Sequence, residues 1–372
     1  MSPIKTSILG VGLAGLTFHV PFVLALPELF QLHSVLERNP SSDGGKVNQR
    51  FGVSVKIYTS LEDILKEPEI ELIIVCTPNS THYPFAKAAL SAGKHVLVDK
   101  PVTTTSAEAR ELGELAKAKN LVLYAYQNRR WDSDFLTLRR LLGDAASSPI
   151  SLGDLFEFES HYDRYRTDLK GSWKDQNGIT WDLGSHLIDQ TVALFGRPEK
   201  VTGFINNLRG IGDADVDDNF TIHLHYPRSS IRPYPLTAIL RAHMLSVRIP
   251  QLRYVIRGSK GTFTKYGLDV QEEQTKAIAK PNEVFKDDYG REPDSIQAVV
   301  ENMSESGAVT RSLIPSEKGA YVELFRNLAA AIRKREEVKI KWDEVITVLE
   351  IIESAYRSSQ EGRTVTLGQV SV

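Results

Sequence analysis

Six residues near the start of the chain, Gly10-Val-Gly-Leu-Ala-Gly15, limit the fold more than any other feature. They close a short apolar run, Thr6–Val11, and open a stretch, Leu13–Leu26, whose spacing predicts a helix. The pattern is G-x-G-x-x-G in a strand–turn–helix context, and each glycine has its own reason. Gly10 permits the tight turn, Gly12 lets the backbone approach a pyrophosphate, and Gly15 lets helix and strand pack closely. N–H groups at the helix N-terminus then face the anion, so Gly10, Gly12, Leu13 and Gly15 are expected cofactor contacts.

The rest of the first 126 residues keeps that rhythm. Apolar runs at Leu32–Leu36, Leu72–Cys76, His95–Val98 and Leu121–Tyr126 alternate with helix candidates at Leu61–Lys66, Tyr83–Ala92 and Ser106–Lys119. Near-continuous apolar strands suit a sheet buried on both faces, and the alternation predicts a doubly wound parallel sheet. Past residue 127 the pattern changes. Strand candidates Leu152–Tyr162, Lys200–Asn206, Phe220–Tyr226, Leu236–Val247 and Arg253–Gly258 alternate polar and apolar residues, as an open, largely antiparallel sheet does. Helices are expected at Phe135–Leu142, Ala320–Lys334 and Trp342–Ser359. The polar stretch Gln271–Ser316 predicts long surface loops. The chain reads as two domains, 1–126 (dinucleotide-binding) and 127–372 (α+β).

Composition narrows the partners. Forty-five basic residues against 47 acidic ones leave no excess for a nucleic-acid backbone. No apolar run approaches the roughly 20 residues of a membrane span. The single cysteine, Cys76, cannot form an internal disulfide, which fits a reducing, cytoplasmic setting.

Three groups of residues carry the chemistry. Glu37 stands at the end of the second apolar run, where a carboxylate bonds a ribose 2′-OH, and Arg38 follows it. A guanidinium there binds a 2′-phosphate, so Arg38 favours NADP(H) over NAD(H). Asp99 and Lys100 lie just past the run His95–Val98, with Thr77-Pro78-Asn79 past the run before it; ligands of open α/β sheets bind outside such ends. A lysine beside a nicotinamide polarises a substrate hydroxyl or carbonyl. On the helical segment Trp181–Gly196, Asp182, His186 and Asp189 share one face, while Leu187, Ile188, Thr191, Leu194 and Phe195 share the other. Asp182 at i, i+4 can orient the His186 imidazole, which exchanges protons near neutral pH. His223 and His225 point to one side of a strand, and no third ligand is visible, so no metal site is expected.

Taken together these motifs resemble the Gfo/Idh/MocA oxidoreductase family, and the resemblance runs over nearly the whole chain. It rests on Gly10–Gly15, Thr77-Pro-Asn79, Asp99-Lys-Pro101 (where the family usually has Glu-Lys-Pro), Asp182-Leu-Gly-Ser-His186 and the Ala-Tyr-Arg-Ser near the end. Gln127–Phe135 and His161–Arg166 look like the branch of NADP-dependent scyllo-inositol dehydrogenases. The resemblance implies an N-terminal Rossmann domain and a C-terminal domain whose open sheet mediates a homodimer or dimer of dimers. It implies that Lys100 and His186 act in proton transfer or substrate binding, assisted by Asp182. It implies cofactor contacts from Thr77, Pro78, Asn79, His82, Asp99, Lys100 and Gln127, and from the Trp–basic pair Trp173 and Lys174. Arg164, Tyr165 and Trp173 are expected at the substrate, a polyol or sugar. The alternatives are reduction of a non-sugar carbonyl or dihydrodiol, and a nucleotide-binding regulator without catalysis.

Overall fold

Strands β1 (Ile4–Leu9), β2 (Phe30–Leu36), β3 (Lys56–Tyr58), β4 (Leu72–Val75), β5 (His95–Val98) and β6 (Leu123–Ala125) form one all-parallel sheet in the order β3-β2-β1-β4-β5-β6. The computed structural model describes residues 2–41, 43–143, 151–168, 178–304 and 306–368. Strand β4 is Leu-Ile-Ile-Val and wholly buried, as a sheet covered on both faces requires. The order reverses between β1 and β4, and that switch point leaves a crevice at the strands' carboxyl ends. The run Lys56–Tyr58 and the helix Gly45–Phe51 were not anticipated; both are too short to carry a period.

The expected helix Leu13–Leu26 is instead a π-helical turn, Gly15–His19, followed by a short α-helix, Val20–Ala25. Pro21 explains the change: it has no N–H for the Thr17 carbonyl, while the Val20 N–H reaches back five residues to Gly15. Ser106–Ala118 begins with a capping box. Thr105 Oγ1 accepts from the Glu108 N–H at 3.2 Å, and the Glu108 carboxylate accepts from the Thr105 N–H at 3.2 Å.

Two later segments complete this first unit, which comprises Met1–Trp131, Val270–Gly290 and Ala320–Ile346. The sequence pointed to a single switch near residue 126. Side chains show why the chain returns. Phe325, on helix Val322–Ile332, stacks on Phe22 at 5.1 Å and meets Phe30 edge-on. Asn327 accepts from the Tyr124 hydroxyl at 2.7 Å, and the Trp342 indole donates to the Ala109 carbonyl at 2.7 Å. In helix Gln271–Ala277, Gln271 donates to the Trp131 carbonyl at 3.0 Å.

The second unit, Asp132–Asp269 with Arg291–Gly319 and Thr347–Val372, holds a nine-stranded sheet. Its strands are β7 (Leu155–His161), β8 (Lys200–Asn206), β9 (Asn219–Tyr226), β10 (Leu236–His243), β11 (Leu252–Gly258), β12 (Gly261–Tyr266), β13 (Ala298–Met303), β14 (Val309–Ile314) and β15 (Val365–Thr366). The order is β14-β13-β12-β11-β7-β10-β9-β8-β15, and only β7–β10 is parallel among the described pairs. Strand β9 alternates as expected: Phe220, Ile222, Leu224 and Tyr226 enter the core against Leu187, Ile188, Ile351 and Ile352, and Thr221, His223 and His225 face the other way.

The stretch Gln271–Ser316 corrects the sequence reading. It carries a helix, two 3₁₀ turns and strands β13 and β14 rather than long loops. Strand β14 lies at the sheet edge, and Thr310, Arg311 and Ser312 dilute its apolar signal, as charged and polar residues do on edges. Among the described residues, no helix is long and apolar enough to cross a membrane.

Candidate active site

In the first unit the expected residues gather at the carboxyl ends of the parallel strands. Gly10, after β1, has φ 101°, and a Cβ there would lie 2.9 Å from the Cys76 carbonyl oxygen. A Cβ on Gly15 would lie 2.1 Å from the Gly10 oxygen, so both glycines are demanded by the turn itself. Gly12 differs: a Cβ there would meet nothing within 4 Å. The open side of Gly12 leaves room for a pyrophosphate against the backbone, as the sequence reading requires.

Thr77, Pro78 and Asn79 follow β4, and His82 ties that loop to the next. One ring nitrogen lies 2.7 Å from the Thr77 carbonyl oxygen and the other 2.7 Å from that of Pro101. Asp99, after β5, is 8% exposed. Its carboxylate accepts the Lys100 backbone N–H at 2.7 Å and meets His19 Nε2 at 3.3 Å. Burial disfavours its charge, yet the His19 imidazole, with smaller help from His82 and Lys100, holds its pKa below the ordinary aspartate value. His19 is fully buried against Tyr126, with ring centres 4.4 Å apart. Sequence reasoning missed His19, whose partner is 80 residues away.

At the end of β2, Glu37 is buried, and its Oε2 accepts the Lys46 N–H at 3.2 Å. A Cβ on Gly45 would lie 2.7 Å from that same oxygen, so the carboxylate is packed into its own loop. Arg38 beside it is exposed. Glu37 Oε1 and Gln127 Oε1 are buried acceptors with no hydrogen-bond partner among the described residues. Buried oxygens of this kind call for a donor, which a ribose hydroxyl or a carboxamide can be. The residues present therefore fit a nicotinamide dinucleotide.

In the second unit, Asp182 lies in a π-helical turn, Thr180–Gly184, that leads into the α-helix Ser185–Phe195. The expected regular helix is thus wound more loosely around Asp182, a feature frequent at functional sites. His186 is 5% exposed and Asp189 1%, while Asp182 is half-buried, so the stripe is covered except at its first residue. The turn is pinned from outside the helix: Asp217 Oδ2 accepts the Thr180 N–H and its hydroxyl, both at 2.8 Å. Burial pushes the Asp217 carboxyl up despite these donors and the Tyr356 hydroxyl. Arg164 lies over the Tyr162 ring at 5.1 Å, and Tyr165 is 61% exposed. Trp173 and Lys174 lie outside the described residues. His225 Nε2 lies 2.8 Å from Thr202 Oγ1, and burial lowers the pKa of both His223 and His225.

A model of an oxidoreductase family's NAD-binding Rossmann fold matches residues 4–127, and one of its C-terminal α/β domain matches residues 150–367. The chain belongs to the Gfo/Idh/MocA oxidoreductase family. Within that family, an uncharacterised oxidoreductase of Schizosaccharomyces pombe is 39% identical over 99% of this chain and 100% of its own length. The scyllo-inositol 2-dehydrogenase (NADP(+)) IolW of Bacillus subtilis is 36% identical over 98% of this chain and 96% of its own. A solved structure of the oxidoreductase yvaA from Bacillus subtilis superposes with a TM-score of 0.88 at 34% identity, covering 99% of each chain. The chain is thus a Gfo/Idh/MocA oxidoreductase with an NAD(P)-binding Rossmann sheet and a mixed, mostly antiparallel second sheet.

Proposed function

We propose that the chain is an NADP-dependent dehydrogenase or reductase acting on a secondary alcohol, or its ketone, in a polyol, inositol or sugar. The observation that carries this reading is Lys100: it stands at the carboxyl end of β5, in the same unit as the open glycine turn, with its backbone fixed by a buried carboxylate. The nicotinamide, when bound, accepts or supplies the hydride. His186 takes the hydroxyl proton as the C–H bond breaks, Asp182 orients its ring, and Lys100 donates a hydrogen bond to the reacting oxygen. Gly10, Gly12, Leu13 and Gly15 hold the phosphates, with Thr77, Pro78, Asn79, His82, Asp99 and Gln127 around the rest of the cofactor. Arg164 and Tyr165 bind the polyol.

Support for NADP over NAD comes from the exposed Arg38 beside a Glu37 already engaged by the Lys46 N–H. The name of the Bacillus relative supports both the cofactor and an inositol substrate. Association into a homodimer or dimer of dimers through the second unit's sheet belongs to the same reading, and light scattering measures it.

The test is turnover. The pure protein is mixed with NADP⁺ or NAD⁺ and a panel containing scyllo-inositol, other inositols, sugars and a trans-dihydrodiol, and with NADPH or NADH and the matching ketones. Growth or loss of reduced-nicotinamide absorbance is expected with an inositol or sugar and the phosphorylated cofactor. Turnover of the dihydrodiol alone would replace the substrate class. Cofactor binding with no turnover in either direction would sink the enzymatic reading in favour of a regulator.

A further inference from the structure

Arg253 is a fully buried arginine that the chemistry above leaves unused. It is 1% exposed, on β11, at a point where pairing with β12 slips between Leu252 and Tyr254. At that bulge two consecutive residues, Arg253 and Tyr254, are buried, which breaks the alternation that Val255, Ile256 and Arg257 resume. Bulges re-aim side chains beside functional sites.

The guanidinium uses its fork in three directions. Nε donates to Asp134 Oδ2 at 2.6 Å, which balances the buried charge. Nη1 donates to Ser160 Oγ at 3.0 Å and to the His161 carbonyl at 3.2 Å, at the end of β7. Nη2 donates to Gln190 Oε1 at 2.8 Å, and the Tyr254 hydroxyl donates to that same oxygen at 3.0 Å. The Tyr254 ring lies 4.1 Å from the guanidinium carbon and the Tyr162 ring 5.8 Å. Gln190 is one helical turn past His186 and on the same side. His161 is three residues before Arg164 and four before Tyr165. A single planar group thus links the helix that carries His186 to the strand that delivers Arg164 and Tyr165. A lysine, with one point charge, cannot make that fork.

We propose that Arg253 is a positioning residue that fixes the separation between His186 and the Arg164–Tyr165 segment, acting through Gln190 on one side and Ser160 and His161 on the other. The loose π turn before Ser185 makes such a brace necessary, because the helix enters on a segment without regular i→i−4 bonding. The proposal rests on the reading that His186 and Arg164–Tyr165 work on the substrate.

The experiment compares the full chain with Gln190→Met, Arg253→Lys and His186→Asn. Steady-state rates use scyllo-inositol with NADP⁺ as the probe pair, and amide hydrogen exchange is followed over 182–192, 160–166 and 219–226. For Gln190→Met, kcat/KM for scyllo-inositol is expected to fall roughly tenfold to a hundredfold while KM for NADP⁺ stays within about twofold. Exchange over 182–192 is expected to quicken while 219–226 keeps its wild-type rate. Arg253→Lys, which keeps the charge beside Asp134, is expected to act in the same direction and to quicken 160–166 as well. A purely structural role would lower the melting temperature and leave the kcat/KM of folded protein alone; that result, or unchanged exchange over 182–192, overturns the proposal. Wild-type activity in His186→Asn would instead overturn the reading on which it rests. If the wild type does not turn over scyllo-inositol, the substrate found in the turnover panel replaces it as the probe.

Discussion

The two units build their candidate sites in opposite ways. In the first, backbone does most of the work: a glycine turn, strand ends and loop carbonyls, with side chains such as His82 and Asp99 tying neighbouring loops. In the second, side chains on one helix do it, and buried charged groups from distant parts of the chain hold that helix in place. A turn made of glycines fails through shape. A helix held by buried charges fails through electrostatics. Substitutions separate the two failures.

The largest expected effect tests the side-chain half. His186→Asn should lower kcat by roughly 10²- to 10⁴-fold with little change in NADPH affinity, as loss of a proton-handling group does. Stopped-flow and fluorescence titration measure the two quantities, and a variant with wild-type kcat would remove that residue from the mechanism. Next come the glycines. Gly15→Val forces a Cβ onto the Gly10 oxygen and should destabilise the protein along with cofactor binding, whereas Gly12→Ala meets nothing within 4 Å and should weaken NADPH binding with an unchanged unfolding midpoint. Equal midpoint losses in both variants would refute the distinction.

Arg38→Ala is expected to weaken NADPH binding by roughly tenfold or more and leave NADH nearly alone, the scale of a charge-assisted hydrogen bond. Equal losses for the two cofactors would show that the guanidinium does not meet the 2′-phosphate. The smallest effect lies in the buried charges of the second unit. Burial, and then the nearby Asp134 charge, push the Glu292 carboxyl up to about 7 against an opposing pull from Lys265. A carboxyl whose folded pKa exceeds its unfolded value binds its proton more tightly when folded. Its contribution to stability therefore falls as pH rises from near 4.5 to about 7, and is flat above that. Urea unfolding of wild type and Glu292→Gln across that window should show a shallower decline in the variant.

The same contrast explains what the sequence disclosed. The parallel sheet and its turn are local: each strand is a short apolar run, and Gly10–Gly15 states its own geometry. The stripe of Asp182, His186 and Asp189 was legible from helical period alone. Its cover was not, because burial of that face depends on long-range packing. His19, Asp217 and Arg253 were invisible for a related reason. Their partners lie 80, 37 and 119 residues away, and nothing in their own neighbourhoods marks them. Strand β14 was lost because its edge position lets polar residues break the apolar alternation, and β13 because only its first half, Ala298–Val300, is apolar.

The return of Val322–Ile332 to the first unit has a consequence for synthesis. Phe22, Phe30 and Tyr124 leave the ribosome some 200 to 300 residues before the Phe325 and Asn327 side chains that they pack against or bond. Until those residues emerge, the nascent nucleotide-binding sheet has an apolar flank with no partner. A polypeptide released early, at residue 131, would carry the glycine turn and every strand of its sheet, yet leave Phe22, Phe30 and Tyr124 without the side chains that cover or bond them.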